Sequence, residues 1–312
     1  MGRSKARAGL LIVPALALPA ADRLSDPPLR EMRWLVSATV AEDMVRLPNE
    51  CLSWPADPAR RRSAEIGRVA FRAPLLLGGQ AARSGLSCSS CHINGRGNPH
   101  FHFPGISGDP GTADVTASLL SSHRGDDKFN PKRIPDLARP EQQRIASRDS
   151  GKRDLERFIH GLIVEEFDGP EPPPRVLNGL ADYVRSIGPA TAQCEGYVGR
   201  TLAGTLDEIA EAIRLARQSA EDNDQATART LLGAARSNLG RIDERLPGLK
   251  AERALLREAD SDLKDIQAAP FEPLHWKRWD RDWRKRRAAL LLAAPRSLYS
   301  EARLRRALAS RD

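Results

Sequence analysis

The chain has 312 residues, of which 40% are hydrophobic and 29% are charged, and its formal net charge is +8. This composition excludes an intrinsically disordered chain, and the length leaves room for one large or two ordinary globular domains. The positive charge predicts attraction to an acidic protein partner or to anionic lipid headgroups. We expect no nucleic-acid partner, because the N-terminus indicates an exported protein.

Residues 1–21 predict a secretory signal peptide. Three basic residues, Arg3, Lys5 and Arg7, precede an apolar run over residues 9–18. Small residues suited to cleavage lie near the end of that run, at positions 15–17, and after it, at positions 20–21. The apolar run is shorter than the roughly 20 residues that a membrane-spanning helix needs. An uncleaved N-terminal anchor is the alternative.

Residues 22–63 form an N-terminal extension, which we expect to pack against the domain that follows it. Met32, Leu35 and Val36 would share one face of a helix. Residues 49–58 are a proline-rich connection that carries Cys51 and Trp54.

The most specific motif in the chain is Cys88-Ser89-Ser90-Cys91-His92. A Cys-x-x-Cys-His pentapeptide is the attachment signature of a c-type haem. Each thiol forms a thioether with one vinyl group, and the histidine ligates the iron from the proximal side. The motif therefore predicts one covalent haem c, held by Cys88 and Cys91, with His92 as an iron ligand. A dithiol redox motif would need a thioredoxin-like βαβ pattern, and a zinc site would need a second pair of ligands; the sequence offers neither.

The haem motif and the signal peptide together predict a periplasmic protein, because bacterial c-type haem is attached outside the cytoplasm. The other two cysteines, Cys51 and Cys194, would then lie in an oxidising compartment. We expect them to form a disulfide that joins the two ends of the haem domain. Two separate free thiols are the alternative.

Residues 64–198 form the predicted haem domain. Ser63 is a suitable N-cap for a helix over residues 64–71, in which Gly67 would allow another helix to cross closely. After the haem motif, residues 94–111 form a loop rich in glycine and proline whose backbone can approach the haem. Pro104 lies in this loop, and its carbonyl is predicted to accept the Nδ1 proton of His92.

Two later helices are predicted over residues 154–167 and 176–187, because apolar residues recur there at helical spacing on either side of a proline-rich segment. With these helices, residues 66–187 resemble a cytochrome c domain, in particular the domains of the bacterial di-haem cytochrome c peroxidase and methylamine-utilisation haem-protein family. The resemblance rests on the following segments: Gly67-Arg68-Val69-Ala70-Phe71, the haem motif, Ile134-Pro135-Asp136-Leu137 and the last helix with Tyr183. It implies an all-α haem domain. The chain departs from that family in two respects: the peroxidases carry two haem domains whereas this chain has a single motif, and the segment after Gly199 is unlike a haem domain.

The second axial ligand of the iron separates electron transfer from ligand chemistry. All three methionines, Met1, Met32 and Met44, precede the haem motif, whereas a methionine ligand normally follows it. The resemblance implies His123 as the distal ligand, because Ser122-His123-Arg124 precedes a proline-containing loop as in that family. The alternatives are His100, His102, His160 or no protein ligand.

Residues 199–312 predict a helical C-terminal domain, either a three-helix bundle or a long hairpin. Three apolar stripes run at helical spacing along this region. Trp276, Trp279 and Trp283 follow on one helix face among seven lysines and arginines. This basic, tryptophan-rich tail either docks to an acidic partner or a membrane surface, or packs its tryptophans on the bundle.

The sequence therefore predicts an exported, all-α, mono-haem c-type cytochrome that transfers electrons to or from an acidic redox partner. One alternative is a peroxidase-like haem enzyme, which would need an open distal side and a nearby acid–base group such as Glu165, Glu166 or Asp168. The other alternative is a redox or gas sensor that docks through its helical C-terminal module.

Overall fold

The computed structural model describes residues 29–139, 154–188 and 194–309. It is mostly helical, with 60% helix and 5% strand, which agrees with the expected all-α class. The predicted signal peptide, residues 1–21, lies outside the described residues.

The N-terminal segment consists of a 3-10 turn at Arg30–Arg33, the short helix α1 (Val40–Asp43) and strand β1 (Arg46–Pro48). Its backbone contacts the haem-motif region, where the amide of His102 donates to the carbonyl of Trp34 at 3.0 Å. Its apolar side chains also form a small core with residues from the far end of the chain. Members of that core are Leu29, Val40, Met44, Val45, Leu298 and Leu304. The extension thus packs on the C-terminal region as well as on the segment that follows it.

Helix α2 (Pro58–Phe71) begins five residues before the predicted N-cap Ser63. Asp57 is the actual N-cap, since its carboxylate accepts from the amide of Arg60 at 2.8 Å. Proline at the first helical position favours this start, because its fixed φ suits a helix and its missing N–H is not needed there. Ser63 therefore lies within the helix, and the prediction of the helix start was wrong.

Helix α2 crosses helix α6 (Pro174–Ser186) at two glycines, as the sequence predicted for Gly67. A Cβ atom on Gly67 would lie 1.8 Å from the carbonyl oxygen of Gly179, so the two backbones are in direct contact. Phe71 and Tyr183 pack edge to face beside this crossing, with ring centroids 5.1 Å apart.

Between these two helices the chain forms α3 (Gly79–Ser84), α4 (Cys88–Cys91) and a long irregular region. Strands β2 (Thr112–Ala113) and β3 (Lys132–Arg133) pair antiparallel within it. Helix α5 (Asp154–Gly161) continues into a π-helical turn at Leu162–Glu166, which confirms the helix predicted over residues 154–167.

The C-terminal region contains four long helices: α7 (Leu202–Glu221), α8 (Gln225–Glu244), α9 (Lys250–Ala268) and α10 (Pro273–Ala293). A shorter helix, α11 (Glu301–Ala309), follows. The three tryptophans of α10 are buried, and Trp279 stacks on Trp283 with ring centroids 4.7 Å apart. Their packing role is therefore confirmed. The exposed part of this helix carries most of its charged residues, together with Leu274 and Leu292.

The two ends of the predicted haem domain are held together. Cys51 and Cys194 form the expected disulfide, with their Cα atoms 5.5 Å apart. Strand β4 (Tyr197–Gly199), just beyond Cys194, pairs antiparallel with β1. The first and last residues of the region 51–194 therefore lie next to each other.

One continuous set of buried side chains extends from Trp34 through the haem-motif region to Leu290 of α10. Helices α7 and α8 pack against α2, so no solvent layer separates the predicted haem domain from the C-terminal helices. None of the helices in the described residues is long and apolar enough to cross a membrane.

Candidate functional site

The haem motif lies on the wall of an apolar cavity of about 210 Å³. Cys88, Cys91 and His92 contribute to one side of it, together with Phe71 of α2 and Leu180 of α6. Apart from these cysteines, His92 and Ser87, every described residue on the wall is a hydrocarbon or aromatic side chain. The cavity therefore offers a low-polarity environment that a flat, apolar group would fill.

A single segment supplies much of the cavity wall. Helix α5 and the π-helical turn after it contribute a series of apolar residues, namely Leu155, Phe158, Ile159, Leu162, Ile163 and Phe167. The turn is fixed at its end, where the amide of Gly78 donates to the carbonyl of Phe167 at 2.9 Å. A π-helical turn shifts the helical register, and such turns are frequent at functional sites.

The two thiols of the motif are in an environment that keeps them protonated. Burial raises the pKa of Cys88 to about 11. Burial, together with the neighbouring Cys88, raises the pKa of Cys91 to about 12. A dithiol redox motif requires the opposite shift, because the thiolate is the reactive form. Neither thiol belongs to a metal cluster, since the described residues contain no group of three His, Cys, Asp or Glu side chains that could hold an ion.

The His92 ring is held in one tautomer. Its Nδ1 lies 3.0 Å from the carbonyl oxygen of Pro135, which can only accept, so Nδ1 carries the proton and Nε2 keeps its lone pair. Burial lowers the pKa of His92 to about 4, so the ring is neutral at physiological pH. A neutral imidazole whose second nitrogen is oriented by a carbonyl is the usual form of a histidine metal ligand.

The acceptor of the His92 proton is Pro135 and not Pro104, so the prediction for Pro104 was wrong. Pro104 is exposed in a turn closed by the amide of Ile106 and the carbonyl of Phe103. The missing side chain at Gly97 helps to explain why residues 134–137, and not the loop around Pro104, lie beside His92. A Cβ on Gly97 would lie 3.0 Å from the carbonyl oxygen of Ile134, which is a tighter contact than most side chains make, so glycine favours this close approach of the two backbones.

The segment around Pro135 contributes to the resemblance noted above, but its contact with His92 is visible only in the structure. The amide of Leu137 donates to the carbonyl of Gly95 at 3.0 Å, and Asp136 pairs with Arg96 at 2.8 Å. These contacts place residues 134–137 beside the haem motif, where Leu137 joins the cavity wall. The glycine-rich stretch directly after the motif was the signal for this close approach, although it did not identify the partner.

The structure does not bring His123 to the cavity. Its side chain is 63% exposed, and its Nε2 lies 4.0 Å from a carboxylate oxygen of Asp168. The backbone around it is fixed away from the wall by Ser121, whose hydroxyl accepts from the amides of His123 and Arg124. His123 therefore does not lie where a distal ligand of the iron is expected.

The other candidate ligands also lie elsewhere. His100 pairs with Asp43 at 2.7 Å, and His160 pairs with Glu171 at 2.8 Å. His102 does not line the cavity, and Met44 is buried in the small core near the N-terminus. Among the described wall residues, His92 is thus the single side chain, apart from the two cysteines, that commonly ligates haem iron.

The three acidic residues considered for acid–base chemistry do not line the haem-motif cavity. Glu165 pairs with Arg124, and Asp168 accepts from the amide of Ser122 at 2.9 Å. Burial raises the pKa of Glu166, but this side chain is not among the residues that line the cavity. The described wall residues therefore offer no carboxylate to a bound molecule.

A second, larger cleft of about 850 Å³ is lined by charged residues from the N-terminal segment, α2 and α8. Two buried carboxylates organise it. Glu50 accepts from Arg68, Arg72 and the hydroxyl of Tyr183, at 2.8, 2.8 and 2.7 Å. Glu31 pairs with Arg200 and, at 3.1 Å, with Arg245. Nearly every charge in this cleft has a partner of opposite sign, so it is a structural network.

Comparisons with protein-family models, with curated proteins and with solved structures returned no match. The chemistry of the cavity therefore has to be inferred from its own residues.

Proposed function

We propose that this protein is an exported mono-haem c-type cytochrome that transfers electrons, with haem c held by Cys88 and Cys91 and with His92 as the proximal ligand. The observation that supports the proposal most directly is the shared location of the three side chains on one apolar wall. The residue types and their surroundings fit a covalent haem, because its ring is apolar and its iron takes a neutral imidazole.

Each of these residues and its surroundings has a defined part in this proposal. The thiols of Cys88 and Cys91 fix the position of the ring, and the apolar wall keeps water from it. The carbonyl of Pro135 holds the His92 proton on Nδ1, so that Nε2 stays free to ligate. The haem supplies one-electron redox chemistry when bound.

Electron transfer is favoured over peroxide chemistry because the described wall residues include no acid–base group besides His92, the proposed proximal ligand. Breaking a peroxide bond needs a proton to be moved within hydrogen-bond reach of the substrate. Glu165, Glu166 and Asp168 do not line the cavity. The net positive charge supports an acidic protein as the redox partner, and the predicted signal peptide supports a periplasmic location.

The test is to produce the full chain in a bacterium that carries the apparatus for c-type haem maturation. We expect haem that stays on the protein after denaturation and acidic organic extraction, and a reversible one-electron potentiometric titration. Replacing both cysteines by Cys88→Ala and Cys91→Ala should abolish the covalent haem, whereas Ser89→Ala, between them, should retain it. Recovery of protein without haem in this host, or with haem that is extracted as readily as free haem, would refute the proposal.

A further inference from the structure

We propose that the charged cleft between the N-terminal segment, α2 and α8 binds a small oxyanion, a carboxylate or a phosphate compound, through the guanidinium of Arg241. The site lies outside the haem-motif cavity, and the inference does not depend on whether the protein carries haem. It adds a binding site, a ligand class and the residue that recognises the ligand.

Arg241 is the exception to the ion pairing in this cleft. Its guanidinium has five N–H donors. Its hydrogen bonds go to two neutral acceptors, the side-chain oxygen of Asn238 and the carbonyl of Arg72, both at 3.4 Å. No carboxylate among the described residues lies at ion-pair distance from it. A guanidinium binds a carboxylate or a phosphate through two parallel N–H groups, so Arg241 has the donors that an oxyanion needs.

The surroundings of Arg241 make its charge unfavourable without such a ligand. The side chain is half-buried, and burial lowers its pKa. The charges of Glu31 and Glu208 act in the opposite direction from a distance but do not offset this effect, and the charges of Arg200 and Arg30 add to it. A desolvated cation without a counter-ion is costly, so an anion that enters the cleft would relieve this cost.

A second guanidinium in the cleft also has a donor without an acceptor. Arg200 pairs with Glu31 through Nη1, but its Nε is buried and has no hydrogen-bond partner among the described residues. Its charge acts on Arg241, so the two guanidinium groups are near enough to attract one ligand together.

The charges that line the cleft leave a positive excess. Four of the seven carboxylates among the described lining residues accept from partners that do not line the cleft, namely Asp43, Asp207, Glu211 and Glu244. The other three carboxylates, Glu31, Glu50 and Glu208, face five arginines, namely Arg68, Arg72, Arg200, Arg241 and Arg245. This small excess favours an anion of one or two charges over a polyanion. The volume of about 850 Å³ is in the range of small-molecule sites.

The experiment compares the unaltered chain with Arg241→Gln, Arg241→Lys and Arg229→Gln, each purified from the haem-maturing host. Arg229 is the matched control, because it lies on the same helix and donates to two backbone carbonyls, but it is exposed and does not line the cleft. Titration calorimetry would measure the binding of inorganic phosphate and of succinate. Thermal unfolding would be measured with the same anions and with sodium chloride at equal ionic strength.

We expect the unaltered chain to bind one equivalent of phosphate or succinate, and the anion to raise its thermal midpoint above that in sodium chloride. The anion that binds more tightly identifies the class of ligand. Arg241→Gln should weaken binding about tenfold or more, and Arg241→Lys, which keeps the charge but lacks the planar fork, should weaken it less. Arg229→Gln should leave the affinity unchanged.

Without an anion, Arg241→Gln should unfold no earlier than the unaltered chain, because it removes a charge that has no counter-ion. Earlier unfolding of this variant would overturn the unpaired state of Arg241. No saturable binding of either anion by the unaltered chain, or equal affinities of Arg241→Gln and Arg229→Gln, would overturn the site. Each of these results is independent of haem attachment, which extraction measures separately.

Discussion

Tyr183 connects the haem-motif cavity with the charged cleft. Its ring packs against Phe71, which lines the cavity and lies 6.4 Å, centroid to centroid, from the His92 ring. Its hydroxyl donates to Glu50 in the cleft at 2.7 Å. Burial raises the pKa of Tyr183, so the phenol keeps the proton that it donates. One side chain therefore serves both the apolar core and the ion-pair network.

Tyr183→Phe should destabilise the protein by about 1–3 kcal/mol, because a buried hydrogen bond to a carboxylate is lost and its acceptor stays desolvated. Denaturant unfolding would measure this loss as a lower midpoint with an unchanged slope. Tyr197→Phe is the control, since Tyr197 is 70% exposed and its replacement should cost almost nothing. Equal stability of the two variants would show that the bond to Glu50 contributes little.

At the scale of elements, the crossing of α2 and α6 positions Phe71 on the cavity wall and Tyr183 against Phe71. It depends on glycine at the contact point, because neither backbone has room for a side chain there. A Cβ on Gly179 would lie 2.6 Å from the carbonyl oxygen of Ser63, which mirrors the clash described for Gly67.

Gly67→Ala should cost about 3 kcal/mol or more, because overpacking against a backbone cannot be relieved by moving a side chain. Gly161→Ala is the matched control. Gly161 ends α5 with helical dihedrals (φ −58°, ψ −40°), and a Cβ there meets nothing within 4 Å. This control should be neutral or stabilise by up to about 1 kcal/mol. The thermal midpoints of the two variants and the parent would measure these differences in stability. A Gly67→Ala protein as stable as the parent would contradict the close crossing of α2 and α6.

The helices after the haem motif could be predicted from the sequence, because the period of their apolar residues is a local signal. The contacts of the irregular region between α4 and α5 could not. Which backbone carbonyl reaches His92 depends on how residues 94–111 and 130–137 fold onto each other, and both contain suitable prolines. The same limit applies to His123, whose position depends on Ser121 and Asp168 and not on its distance from the motif in the sequence.

At the scale of the whole molecule, the buried ion pairs join parts of the chain that are far apart in sequence. Burial opposes ionisation of Glu31, but the charges of Arg200, Arg245 and Arg241 outweigh it and hold its pKa at about 2. Burial likewise opposes ionisation of Glu50, and Arg72 and Arg68 with the Tyr183 hydroxyl hold its pKa at about 2. The N-terminal segment is thereby tied to α2, α6 and α8.

The low pKa values of Glu31 and Glu50 predict how the stability of the protein falls at acidic pH. Because their folded-state pKa values are below the ordinary value of 4.5, they stabilise the protein fully above that pH and lose this contribution as the pH falls towards 2. The loss should amount to roughly 3 kcal/mol for each carboxylate. Unfolding measured between pH 6 and about 2.5 should show a smaller pH dependence in Glu50→Gln than in the parent. An unchanged slope would contradict the low pKa of Glu50.

The net charge is +8 for the full sequence and stays positive without the three basic residues of the predicted signal peptide, so it predicts how the proposed haem protein reacts with small oxidants. Oxidation of the reduced protein by ferricyanide, an anion, should slow several-fold as ionic strength rises from ~0.01 to ~0.15 M, because the Debye length shortens from about 30 to about 8 Å. A cationic cobalt complex should show the opposite trend. Stopped-flow measurement with both oxidants tests this. Identical salt dependence would indicate that the positive charge lies away from the site of electron exchange.

The disulfide that closes the region 51–194 also constrains how the protein can be assembled. Four cysteines can pair completely in three different ways. In this structure Cys51 is paired with Cys194, and Cys88 and Cys91 are thiols. Cys194 is the last of the four to be synthesised, so Cys51 meets the two haem-motif thiols before its proper partner. If the protein is exported and carries haem as proposed, its biogenesis must either attach haem early or repair a wrong pairing. Cells lacking a disulfide isomerase should accumulate haem-free protein, and a Cys51→Ser, Cys194→Ser double variant should relieve that dependence.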